Sequence, residues 1–222
     1  MKTSFYIMLA AVNLIIIQSC HSQNSINPTY LGVKPGDFDL DKVTFKEDVN
    51  LLFSKVKYIK LPRMATYLDK KIKQEIKDTL AFEYKVDKPD RNSVNAYFLV
   101  KSLKNDMVFF FVDKSNHLKA VSFFMSQNHD FNQQIEQIDE KYKRYKVKLK
   151  PNKVVSFFQG KSYQWETPDK IISMTISTKP TSGGEYTCGL TVADKNTDFT
   201  KFPINRFIFG NKLCLDNSCK NQ

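Results

Sequence analysis

Arginine is almost missing from this 222-residue sequence: Arg63, Arg91, Arg144 and Arg206 stand against 30 lysines. The formal charge of +11 invites a nucleic-acid partner. Phosphate and base recognition leans on the planar arginine fork, whereas lysine is a strongly hydrated point charge that serves solubility, so no nucleic acid is expected. Glycine (7) and proline (8) are also few, which excludes a collagen-like or linker-dominated chain. There is no Cys-x-x-Cys pair, and His21, His117 and His129 are scattered, so no metal site is expected. Neither Gly-x-Ser-x-Gly nor a phosphate-binding glycine loop occurs, and no cofactor is expected. What is present is 41% apolar and 13% aromatic material, enough to bury a core in one large domain or two small ones.

Long apolar runs are absent except at the amino terminus. Lys2 precedes an apolar stretch from Phe5 to Ile17 broken only by Asn13, after which the chain turns polar. About 13 residues are too few to span a hydrocarbon layer that needs roughly 20 in a helix. The pattern is that of a secretory signal peptide over residues 1–19. Ile17-Gln18-Ser19-Cys20 resembles the lipobox of bacterial lipoproteins, with an aliphatic residue three before the cysteine and a small one directly before it. Gln18 departs from the small residue usual at its place. The resemblance implies that Cys20 becomes the lipidated first residue of a mature chain of formal charge +10. It further implies a membrane anchor in the cell envelope, on the outer membrane and facing periplasm or surface, because several acyl chains hold where one does not. The alternative is cleavage after Ser22 and release as a secreted protein. Residues 20–43, polar with prolines up to Gly36, read as a tether and lead-in.

The mature chain reads as α+β, with antiparallel meanders packed against helices. Thr44 and Glu47 have capping-box spacing, and Phe45, Val49, Leu52, Phe53 and Val56 predict a helix over 45–57. A second helix is predicted over 64–78 from Tyr67, Leu68, Ile72 and Ile76. Aromatic and β-branched segments at 79–86, 94–103, 107–113 and 118–126, separated by turn residues, then predict four strands. The order restarts at Asp130: Phe131, Ile135, Ile138, Tyr142 and Tyr145 predict another helix, followed by strands at 153–158, 162–167, 170–178, 184–193 and 204–209. Gly183-Gly184 reads as a hairpin turn, and Phe82 with Tyr84 corresponds to Tyr163 with Trp165. This predicts a tandem repeat, with a first unit at 44–128 and a second at 129–222. In order of elements the chain is similar to the helix-then-meander repeats of β-lactamase-inhibitor-like and small outer-membrane-assembly lipoproteins, a likeness of topology that carries no function.

Chemistry-bearing residues are sparse. Cys188, Cys214 and Cys219 are disulfide candidates in an oxidising envelope, either bridging Cys188 to the tail or closing Cys214 to Cys219. His129-Asp130 reads more simply as a loop before a helix cap than as a catalytic pair. Glu83 and Glu166 could form a paired-carboxylate site, though strand alternation sets each opposite its aromatic neighbours. The segment Lys141 to Lys153 concentrates Lys141, Lys143, Arg144, Lys146, Lys148 and Lys150. It reads as a contact for anionic lipid or polysaccharide, or as an edge strand that lysines protect from self-pairing. The leading expectation is a non-enzymatic envelope lipoprotein that binds or scaffolds an envelope protein or anionic surface. The alternatives are an exported glycan or cell-wall hydrolase using Glu166 or Asp130, and a carrier of an apolar ligand among Phe109, Phe110, Phe111, Phe123 and Phe124.

Overall fold

A computed structural model describes residues 31–32, 36–69, 74–86, 95–99, 105–149 and 160–197. Cys20 and its lipobox, the strands expected at 153–158 and 204–209, Lys150, Cys214 and Cys219 lie outside these residues. The architecture is α+β. A short β1 (Asp37–Asp39) and a 3-10 turn (Leu40–Lys42) lead to α1 (Val49–Leu52) and then to β2 (Tyr58–Asp69), β3 (Gln74–Val86), β4 (Asn95–Tyr97), β5 (Asn105–Asp113) and β6 (Leu118–Gln127). α2 (Asn132–Tyr142) and a second 3-10 turn (Lys143–Tyr145) precede β7 (Lys146–Val147), β8 (Gly160–Glu166), β9 (Lys170–Ser177) and β10 (Tyr186–Asp194). Eight strands form one antiparallel sheet in the order β2-β3-β5-β6-β10-β9-β8-β7, while β1 and β4 pair in parallel beside it.

Strand register decides which residues share a face. One row crosses all eight strands: Lys60, Tyr84, Phe110, Val121, Val192, Ile172, Trp165 and Lys146. This first face carries the core, because Val49 and Leu52 of α1 and Ile135 and Ile138 of α2 belong to the same buried cluster as Phe110, Phe123, Leu190 and Trp165. Phe38 and Phe53 each meet the Phe110 ring edge-on at 4.9 Å. The neighbouring row on the second face runs Ile59, Lys85, Phe109, Ser122, Thr191, Ser173, Gln164 and Val147. Ser122, Thr191, Ser173 and Gln164 are buried as well, and Thr191 donates to the Ser122 hydroxyl at 3.0 Å.

Several expectations need correction. The described residues of the helix expected over 64–78 are strand instead: the ends of β2 and β3 pair there, with Tyr67 opposite Ile76. Cross-strand pairing over a dozen residues outweighs a helical spacing that was only local. Of the segment expected as a strand at 94–103, the described Asn95–Tyr97 pairs with β1 rather than with the meander. The helix expected over 45–57 shrinks to Val49–Leu52. Glu47 closes on Thr44 instead, accepting from its backbone N–H at 2.6 Å and its hydroxyl at 2.8 Å. Phe45 sits at φ 63°, outside helical geometry, and Asp48 caps α1 through the N–H groups of Asn50 and Leu51. Parts of the stretch expected as tether and lead-in belong to the fold, since Leu31, Phe38, Leu40 and Val43 are core residues. Gly32 permits this close return of the chain, because a Cβ there would lie 2.3 Å from the Asp37 carbonyl oxygen. The hairpin turn at Gly183-Gly184 is present between β9 and β10, with Gly184 at φ 80°.

Candidate functional site

The basic segment singled out in the sequence lies at the β7 end of the sheet, where α2 runs out into the second 3-10 turn. The fold divides its cations into two groups. Lys141 donates to the Asp41 carboxylate at 2.6 Å, and the Tyr142 hydroxyl donates to the same carboxylate. Lys170 donates to the Asp41 carbonyl at 2.9 Å. Asp41 is buried, and a buried carboxylate requires such partners. Burial, followed by the bond to Asp41, pushes the Tyr142 phenol well above its ordinary range. Burial lowers the Lys170 ammonium, against the opposing charges of Asp169, Asp41 and Glu47. Lys146 pairs with Asp139, whose other oxygen accepts from the Trp165 indole at 2.8 Å. Lys141 and Lys146 therefore act as internal ties.

Lys143, Arg144 and Lys148 form the second group. They are exposed, and no carboxylate lies within ion-pair distance of them among the described residues. The Arg144 guanidinium lies 4.7 Å from the Tyr145 ring centre, and Tyr163 stacks on Trp165 at 6.2 Å. Exposed Lys161 on β8, two residues from Tyr163 and on its face, belongs to the same end of the sheet. Linear reading missed it, because only the β7–β8 pairing places that strand beside Lys146.

The other candidates are dispersed. Glu83 and Glu166 occupy one register row of the second face but are separated by β5, β6, β10 and β9. Five strand spacings amount to roughly 24 Å. A glycosidase pair needs about 5–9.5 Å. Glu166 instead accepts from Gln164 at 2.8 Å and pairs with Lys195 at 3.4 Å. Asp130 is exposed and accepts from the backbone and side chain of Asn132 at the start of α2. His129 is exposed, and His117 sits 3.6 Å from Asp113 in the β5–β6 turn. The five phenylalanines split by alternation: Phe110 and Phe123 enter the core of the first face, while Phe109, Phe111 and Phe124 face the other way. Cys188 is a free thiol buried beside Met125 and Ile176, and burial alone drives its pKa well up. Cys188 is unbridged among the described residues, and the partners expected for it, Cys214 and Cys219, lie outside them. No metal-binding cluster occurs among the described residues, and no helix there is long and apolar enough to cross a membrane. Comparison with protein families, curated proteins and solved structures finds no match.

Proposed function

We propose that this protein is an exported cell-envelope lipoprotein, tethered through Cys20, that works as a non-enzymatic binding and scaffold module against an anionic surface. The observation that carries the reading is the unneutralised trio Lys143, Arg144 and Lys148 beside two internally tied lysines. A solubility function asks for no such sorting, whereas an anionic surface is met by cations free to approach it. Each lysine or arginine near such a surface contributes about 1 kcal/mol, so three amount to more than a hundredfold in partition. Phosphate or carboxylate on lipid headgroups or on polysaccharide supplies the same chemistry.

The test is cosedimentation of the unlipidated chain with anionic and zwitterionic vesicles, and with an anionic polysaccharide in parallel. Binding should favour one anionic arm, weaken as salt rises, and fall at least tenfold in the triple variant K143E/R144E/K148E. Equal binding to zwitterionic vesicles, or a triple variant indistinguishable from the parent, overturns the reading. The anchor has its own test, incorporation of labelled fatty acid that Cys20→Ser abolishes; a mature chain beginning at Gln23 sinks it.

The topology also supports descent from a tandem duplication. Each four-strand meander follows a helix, the two meet through their last strands β6 and β10, and the pairs Phe82 with Tyr84 and Tyr163 with Trp165 lie on their second strands. A crystal structure in which residues 49–127 fail to superpose on 132–194 strand for strand would remove this proposal.

A further inference from the structure

From Lys141 to Trp165 the sequence holds no Asp or Glu, and the β7–β8 pairing doubles that stretch back on itself. Burial along β8 falls off in one direction: Trp165 and Gln164 are buried, Tyr163 and Ser162 half-buried, Lys161 and Gly160 exposed. Trp165, Tyr163 and Lys161 alternate onto the first face, where Asp139 of α2 accepts from the Trp165 indole. Tyr163 and Lys161 therefore continue outward from the part of the core that the helix covers. The second 3-10 turn packs against β8 and brings Tyr145 beside this strand. Tyr145 and Tyr163 are both half-buried against the core, and neither hydroxyl has a hydrogen-bond partner among the described residues. With the two rings come Lys143, Arg144, Lys148 and Lys161, all exposed and none within ion-pair distance of a carboxylate among the described residues.

We propose, resting on the anionic-surface reading and naming its ligand, that this border binds a polysaccharide of carboxylated sugars, with sugar rings on Tyr145 and Tyr163 and carboxylates on the four free cations. A sugar ring presents a C–H face that packs on an aromatic ring and hydroxyls that bond to a phenol. Its carboxylates supply the negative charge that the stretch from Lys141 to Trp165 lacks. Arg144 offers a planar fork that meets a carboxylate through two hydrogen bonds, and its guanidinium lies 4.7 Å from the Tyr145 ring centre, so cation and ring reach the ligand together. A polymer with a carboxylate on every residue meets several such cations at once, each contact raising the effective concentration of the next. A lipid surface fits this border less well. Faces that hold to lipid set large apolar side chains among their cations, whereas those exposed among the described residues, Leu51, Tyr58, Ile59 and Leu61, belong to α1 and β2. Tyr163 instead stacks on Trp165 with ring planes 14° apart, which holds its ring in one orientation before any ligand arrives.

The test titrates the unlipidated full chain by isothermal calorimetry with a galacturonate decamer and with the same decamer fully methyl-esterified, and cosediments it with anionic phosphatidylglycerol vesicles. The acid decamer should bind, and the neutral ester should bind roughly tenfold more weakly or worse. Y145L/Y163L, its native fold checked by melting, should weaken the acid decamer by a similar factor, while Y145F/Y163F, which keeps both rings, should retain most of the binding. Equal binding of the ester overturns the proposal, as does a Y145L/Y163L chain that holds the decamer like the parent. So does a chain that cosediments with the vesicles and ignores the decamer; that result leaves the anionic-surface reading standing, whereas binding to neither removes both.

Discussion

Asp41 gathers three partners from distant parts of the chain: Lys141, the Tyr142 hydroxyl and, through its carbonyl, Lys170. Truncation would leave the half-buried Tyr142 hydroxyl without its acceptor, while Lys141, its side chain 46% exposed, can return to water. Asp41→Ala should therefore cost about 1–3 kcal/mol in urea unfolding, and adding Tyr142→Phe should recover part of that loss. Asp39 behaves differently. Burial first, then the Asp41 charge, holds its carboxyl above the ordinary 3.8, against the Asp41 N–H and the charges of Lys42 and Lys141. The folded chain binds this proton more tightly than the unfolded chain does. Its contribution to stability is fully present below pH 3.8 and fades as pH rises through the raised value. Asp39→Asn retains an acceptor for the Asp41 N–H, so its melting midpoint should exceed the parent's at pH 7, with the difference closing toward pH 3.

At the scale of elements, turn chemistry carries the meander. Asn116 stands at φ 65° between β5 and β6, its N–H bonded to the Asp113 carbonyl at 3.1 Å, while the Asp113 side chain accepts from the His117 N–H at 2.9 Å. Asparagine tolerates the left-handed region and valine does not, so Asn116→Val should cost about 1–3 kcal/mol and Asn116→Gly little, as thermal melts would read. β10 makes a second prediction. Cys188 faces the core, so its thiol should resist alkylation in native protein and label fully in denaturant, as peptide mass mapping would report; rapid native labelling would contradict the packing of this strand. α1 teaches a limit of periodicity. Phe45, Val49, Leu52, Phe53 and Val56 are all buried, as their spacing predicts, yet only Val49 and Leu52 of these five are helical.

Among the described strands, the sheet's two outermost members, β2 and β7, are unlike and about seven strand spacings apart, roughly 34 Å. The first-face row that crosses it ends in a lysine at each side, Lys60 and Lys146, a common protection against edge-to-edge association. Beyond that shared device, β2 adds exposed apolar residues and the β7 end adds Lys143, Arg144 and Lys148.

The aromatic and β-branched segments 107–113, 118–126, 162–167, 170–178 and 184–193 were legible as strands because their composition and turn residues act locally. The helix from Phe131 was legible for the same reason. The first hairpin was not, because Tyr58–Asp69 becomes a strand only when β3 lies beside it over its whole length. Nor did the run of basic residues in the sequence distinguish Lys141 and Lys146 from Lys143, Arg144 and Lys148. The sequence by itself determined the fold class, most of the strands and the placing of the positive charge. Tertiary structure alone decided which cations are tied down, since Asp41 lies 100 residues from Lys141. It also decided that Glu83 and Glu166 stay apart and which of the described strands lie outermost. Charge pairing and strand order depend on distances across the fold, and local propensity carries no information about those.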